Sequence, residues 1–199
     1  GDKELKSQLS IYSALGKERE CLATLSHPNS SQFTASLFTR GTGTSAKQVV
    51  AMCGAPQPEI VVWNWDTKKT IKVVSMPAVA NKIRCAPIPQ FMLTTSGENG
   101  LRSWYNQGET LSNLNLIPPN KDTDPCIAEH VWMPSGNGLN KLAALSTVLA
   151  PGEGKRNNFR RQLLYILEGR DSTDKQTMEK TSAKSATGCP IGLEVRQTV

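Results

Sequence analysis

The residues of this 199-residue chain with the widest chemical repertoire are two histidines, His27 and His130, and five cysteines, Cys21, Cys53, Cys85, Cys126 and Cys189. A metal centre would need them clustered, yet there is no CxxC pair, and neither histidine lies within ligand spacing of the other or of a cysteine pair. An odd cysteine count also argues against a disulfide framework, and most of the five stand in or beside apolar segments, so buried reduced thiols are expected. Phosphate chemistry fares no better. Gly152-Glu153-Gly154-Lys155-Arg156 imitates the end of a phosphate loop, but Leu149 stands where the first glycine belongs and Arg156 where a Ser or Thr should bind the metal. Gly41-Thr42-Gly43-Thr44 lacks the third glycine and the strand-to-helix setting of a dinucleotide site, and suits a hairpin tip instead. No Gly-x-Ser-x-Gly elbow is present. Sequence leaves open a Cys–His nucleophile assembled across distant strands. The expectation is a protein without catalytic residues, metal or cofactor, hence not an enzyme.

The net charge is +6 and the isoelectric point about 9.1, which raises the question of an anionic partner. The excess does not form a continuous basic face interleaved with aromatics. Lys155, Arg156, Arg160 and Arg161 gather in one loop, whereas Lys68, Lys69 and Lys72 belong to a turn and an outer strand. The loop is expected to be solvated or to meet an acidic protein surface, since clustered cations steer association with an anionic one. Nucleic acid is not the expected partner. No run of about 18 apolar residues is long enough to cross a bilayer as a helix, and no apolar leader opens the chain, so a cytoplasmic protein that binds no membrane is expected.

The elements that would carry such surfaces are strands. In Phe91-Met92-Leu93-Thr94-Thr95-Ser96-Gly97-Glu98-Asn99-Gly100-Leu101-Arg102-Ser103-Trp104, an apolar strand runs through a glycine-bracketed turn into a second strand ending in Trp. Gly and Asn tolerate the positive φ that such turns use. Upstream, Gln48 to Gly54 leads through a Pro-containing turn into Glu59 to Asp66, and Trp65 and Trp104 stand 39 residues apart. That spacing is close to the roughly 40–45 residues of a four-stranded propeller blade. Paired-helix repeats have a similar period, but β-branched and aromatic residues dominate here and Gly/Pro turns would cut any helix short.

The fold class expected is therefore all-β, a partial β-propeller of about three to four four-stranded blades occupying 1–199. It divides into the end of a blade over 8–26, a blade over 32–75, another over 81–117, and an irregular blade with two insertions over 127–199. Trp63 and Trp65, two apart in one strand from Ile60 to Trp65, should point into one layer between blades, with Trp104 filling the next. A ring closes with four to eight blades, so further blades are expected on one or both sides.

At these residues the chain resembles a known family. Ser96-Gly97-Glu98-Asn99-Gly100-Leu101-Arg102-Ser103-Trp104 is similar to the second turn of a WD40 repeat, and Trp65-Asp66 stands where that family places its Trp-Asp dipeptide. His27, ahead of the first strand of its blade, matches the Gly-His histidine. The resemblance implies a hydrogen-bonded brace of His, turn Asp, Ser or Thr, and Trp within a blade, so His27, Trp63, Trp65, Asp66, Ser96 and Trp104 are the structural positions it marks. Glu98-Asn99 replaces the turn Asp and the third blade has no initial His, which implies an incomplete brace.

More closely, Ala51-Met52-Cys53-Gly54-Ala55-Pro56 followed by Val62-Trp63-Asn64-Trp65-Asp66-Thr67-Lys68-Lys69 resembles the large cilia- and flagella-associated WD-repeat proteins of the axoneme. This implies a scaffold that organises or tethers inner-arm dyneins on doublet microtubules, in contact with dynein-arm or tether components and with the rest of its own propeller. Two other readings stay open: a WD-type interaction module of another intracellular complex, and a propeller associated with nucleic acid.

Overall fold

The computed structural model describes residues 7–15, 18–27, 32–40, 46–87, 91–107, 109–117, 126–133, 141–149, 160–169 and 193–198. These residues form an all-β structure of antiparallel strands with no α-helix. The first sheet pairs β1 (Gln8–Tyr12) with β2 (Cys21–Ser26). The second is a meander of β3 (Phe33–Phe38), β4 (Gln48–Cys53), β5 (Glu59–Asn64) and β6 (Lys69–Ser75). The third runs β7 (Lys82–Cys85), β8 (Met92–Gly97), β9 (Gly100–Gln107) and β10 (Thr110–Ile117). The fourth runs β11 (Cys126–Met133), β12 (Lys141–Leu149), β13 (Arg160–Gly169) and β14 (Leu193–Thr198).

Side chains alternate across a strand, so each central strand serves two layers. In β4 and β5, Val49, Ala51, Cys53, Val61 and Trp63 pack with Ile11, Ala23 and Leu25 of the first sheet. Their neighbours Val50, Met52, Ile60 and Val62 pack the opposite way, against Ile83, Leu93, Trp104 and Leu111 of the third. The far face of the third sheet supplies Leu101 and Ile117 to a layer with Ile127, Leu142, Ala144 and Leu167 of the fourth. Burial on both faces explains why β4 and β5 are nearly continuous apolar runs rather than alternating ones. Successive sheets thus stack face to face. Their first strands are neighbours, β3 beside β7 and β7 beside β11, and the fourth strands β6 and β10 also meet.

The two glycines bracketing the Glu98-Asn99 turn have different duties. Gly100 alone takes a positive φ, 84°, while Glu98 and Asn99 do not, contrary to the expectation for the Asn. Gly97 answers to space: a Cβ there would come within 3.2 Å of Ala80 Cα and Val79 O and 3.3 Å of Asn81 N, all of them backbone atoms that cannot swing aside. Gly97→Ala is expected to destabilise the fold by about 1–3 kcal/mol, the usual cost of overpacking. Equilibrium urea unfolding measures this, and an unchanged midpoint would contradict the close approach. A second positive φ falls at Lys68, 56°, in the turn after β5, where the Asn64 side-chain oxygen accepts the N–H groups of Asp66 and Thr67 at 3.1 Å each.

Several sequence expectations shift. β5 ends at Asn64, and Trp65 stands in the turn, held by its N–H to Lys47 O at 3.0 Å. Trp63 is buried, meeting the Phe33 ring edge-on at 5.8 Å, whereas Trp65 is half-buried on the same layer. Of the described thiols, only Cys53 is buried. Cys85 and Cys126 are half-buried and Cys21 is exposed, although Cys53 too stands at a strand end. Cys189 lies outside the described residues, as do the loop tip at 41–44 and the segment 150–159.

Candidate functional site

The buried polar groups of this fold concentrate at the seams between sheets. His27, just after β2, is fully buried with Nε2 3.1 Å from Oε2 of Glu59, the residue that opens β5. Cys53 pairs in register with Glu59 across β4 and β5. Burial, reinforced by the Glu59 carboxylate, pushes its thiol up to about 11. A thiol held protonated at neutral pH is a poor nucleophile and a poor metal ligand, so its place beside Glu59 does not make Cys53 reactive.

In the third sheet, Ser96 and Trp104, two positions marked by the sequence resemblance, separate onto opposite faces. The hairpin register pairs Gly97 with Gly100, Ser96 with Leu101, Thr95 with Arg102, Thr94 with Ser103 and Leu93 with Trp104. Trp104 and Thr95 therefore share the face toward the second sheet, where the indole Nε1–H donates to Thr95 Oγ1 at 2.8 Å. Ser96, the hydroxyl assigned to this brace from the sequence, faces the fourth sheet instead. The physical reason is the two-residue turn, which sets the register and leaves Ser96 on the other side from Trp104.

On that other side stands a cluster the sequence reasoning missed. His130 of β11 engages Thr94 Oγ1 through Nε2 at 2.9 Å and Ser96 Oγ through Nδ1 at 2.8 Å, and is 1% exposed. Trp132, two residues on and on the same face, donates its Nε1–H to Thr94 Oγ1 at 3.0 Å. Thr94 is thus the hub of a seam between β8 and β11. Next to it, Glu129 receives Arg84 Nη2 at 3.1 Å and Lys82 Nζ at 3.2 Å from β7, and its Oε1 accepts the His130 backbone N–H at 3.1 Å. Partial burial opposes the Glu129 charge, but that N–H and the two cations outweigh it and hold the carboxyl below its usual range. Burial, then the nearby Arg84 guanidinium, pulls His130 down to about 4, so it is neutral at pH 7. The sequence carried only the two period-two pairs, His130 with Trp132 and Thr94 with Ser96, and nothing in it set them side by side.

The remaining expected positions are peripheral. Asp66 pairs with Lys47 at the exposed turn after β5. Lys72 of β6 donates to Asn106 Oδ1 at 3.0 Å and to Thr110 O at 3.2 Å, spending its ammonium on the neighbouring sheet. Lys155 and Arg156 lie outside the described residues, and Arg160 and Arg161 are described only in their backbone, which opens β13 opposite Leu149 and Val148. Among the described residues no group of three or more His, Cys, Asp or Glu could hold a metal ion, and no helix is long and apolar enough to cross a membrane. No family model matches this sequence, and no curated protein matches it.

Proposed function

We propose that this chain is part of a WD-type β-propeller and serves as a non-catalytic protein-interaction scaffold. The observation that supports this reading best is the stacking of successive antiparallel meanders, with first strand beside first strand and the buried Trp104 between the second and third sheets. Such stacking suits blades arranged around an axis, with exposed rims and loops for partners. Catalysis plays no part in the proposal. The described cations Lys47, Lys82 and Arg84 are committed to carboxylates of their own chain, which favours protein partners over a nucleic-acid track.

The setting we propose is the ciliary or flagellar axoneme, where the scaffold would organise or tether dynein arms on doublet microtubules. This part of the proposal rests on the likeness of the Trp63-Asn64-Trp65-Asp66 and Ser96–Trp104 segments to axonemal WD-repeat proteins. The experiment is to tag the full-length protein in a flagellated cell and extract axonemes in steps of salt. Retention on doublets until high salt supports the proposal. Localisation to nucleus or ribosomes would remove the axoneme from it and make an interaction module of another complex the leading reading.

The basic cluster gives a sharper test of the contact surface. Changing Lys155, Arg156, Arg160 and Arg161 to Gln should weaken co-sedimentation with doublet microtubules at low ionic strength, with the difference shrinking as salt screens the charges. Equal binding at low salt would assign these residues to solvent.

A further inference from the structure

We infer that His130 is an acid-released latch: its neutral ring ties the fourth sheet to the third, and its protonation frees the fourth sheet while the second and third stay joined. The latch is a physical interface between two strands of different sheets. β11 reaches β8 through three side-chain hydrogen bonds, from His130 Nε2, His130 Nδ1 and the Trp132 indole, and all of them end on Thr94 or Ser96. A neutral imidazole fits this setting because one nitrogen donates and the other accepts, so each hydroxyl can complement it. Adding a proton makes both nitrogens donors. Thr94 and Ser96 must then both turn their own hydroxyl protons away from the ring, inside a layer whose other members include Leu101, Ile127 and Leu142.

The charges facing the ring reinforce this. Among the described residues β7 presents Lys82 and Arg84, both cationic, and β11 itself presents Glu129, which both of those cations already engage. β8 presents only the hydroxyls of Thr94 and Ser96, β9 only Leu101 and Ser103 at the paired positions, and β12 only Ala144 opposite His130. A new positive charge therefore meets two cations and a carboxylate that is already committed. The depressed His130 pKa, about 4 against 6.5 for an ordinary histidine, agrees with that geometry.

The seam between the second and third sheets is built differently. Val50, Met52, Ile60 and Val62 meet Ile83, Leu93, Trp104 and Leu111; the Trp104–Thr95 bond inside this layer involves no titrating group, and Lys72, which reaches Asn106 and Thr110 O across its exposed edge, is already an ammonium that acid leaves unchanged. The layer between the third and fourth sheets instead buries Thr94, Ser96, Ser103, His130 and Ser146. Acid should act on the second of these seams first.

The sign is that of a histidine with a lowered folded pKa. Opening exposes a ring that titrates near 6.5, so closure is at full strength above that pH and weakens as pH falls from 6.5 toward 4. The opening equilibrium should rise about a hundredfold over that window. The test is amide hydrogen exchange on the full chain, corrected for intrinsic rates, at pH 7, 5.5 and 4. The expected result is about a hundredfold loss of protection in β11 to β13, with β4, β5, β8 and β9 losing far less. His130→Gln, which can still bond both hydroxyls but cannot titrate, should flatten the pH dependence of β11 to β13 between pH 7 and 5.5, leaving only the contribution of the Glu129 carboxylate at the acid end. Arg84→Gln removes a cation beside the ring, raises the closed-state His130 pKa toward that of the open ring, and should therefore shrink the acid-driven rise in opening while leaving its onset near pH 6.5. Uniform loss of protection across all sheets, an unchanged transition in His130→Gln, or an undiminished rise in Arg84→Gln would each overturn the inference.

Discussion

Replacing Trp104 by Ala should lower the unfolding free energy by about 3–5 kcal/mol, the range for truncating a large aromatic in a packed core. The indole is fully buried between the second and third sheets, among Val50, Met52, Ile60, Val62 and Leu93. Truncation also strands the Thr95 hydroxyl, which accepts the indole N–H at 2.8 Å. Trp104→Phe separates the two contributions, keeping most of the apolar volume while losing the bond, and should cost less than the alanine change. Equilibrium denaturation of the three proteins measures both. A loss below about 1 kcal/mol for the alanine variant would mean that the layer collapses around the missing ring, and that Trp104 does not hold the two sheets together.

Thr94→Val should destabilise by about 2–4 kcal/mol although it preserves shape. The hydroxyl it removes serves two groups, the His130 ring and the Trp132 indole, and a buried donor or acceptor left without its partner costs about 1–3 kcal/mol. Trp132 is half-buried and can recover part of its loss from water, while His130 cannot. Thr95→Val, which strands only the Trp104 indole N–H, should cost less than Thr94→Val. A Thr94→Val protein as stable as the parent would show that the β8–β11 seam is held by apolar contact alone, through residues such as Ile127 and Leu142.

The pairing of strands into successive meanders was legible in the chain itself, because it rests on local physics. Alternating and continuous apolar runs, such as Val49 to Cys53 and Ile60 to Trp63, can satisfy their backbone and bury both faces only as central strands. Glycine at 97 and 100 marks the one tight turn between β8 and β9, and the residue spacing repeats because each meander must bury the same kind of face. The hairpin register even contained the answer to which hydroxyl meets Trp104, since counting back from the Gly97–Gly100 pair sets Trp104 opposite Leu93 and beside Thr95.

What only the tertiary structure decided concerns contacts between sheets. His130 and the Thr94–Ser96 pair are more than 30 residues apart, and nothing in either segment states that β11 will lie along β8. The same holds for His27 beside Glu59 and for Arg84 and Lys82 converging on Glu129. Burial of Cys53 but not Cys21 likewise depends on which strand ends a neighbouring sheet covers. Strand identity follows from periodicity within a few residues, whereas the depth of a polar side chain, and hence its ionisation, is set by what the next sheet places over it.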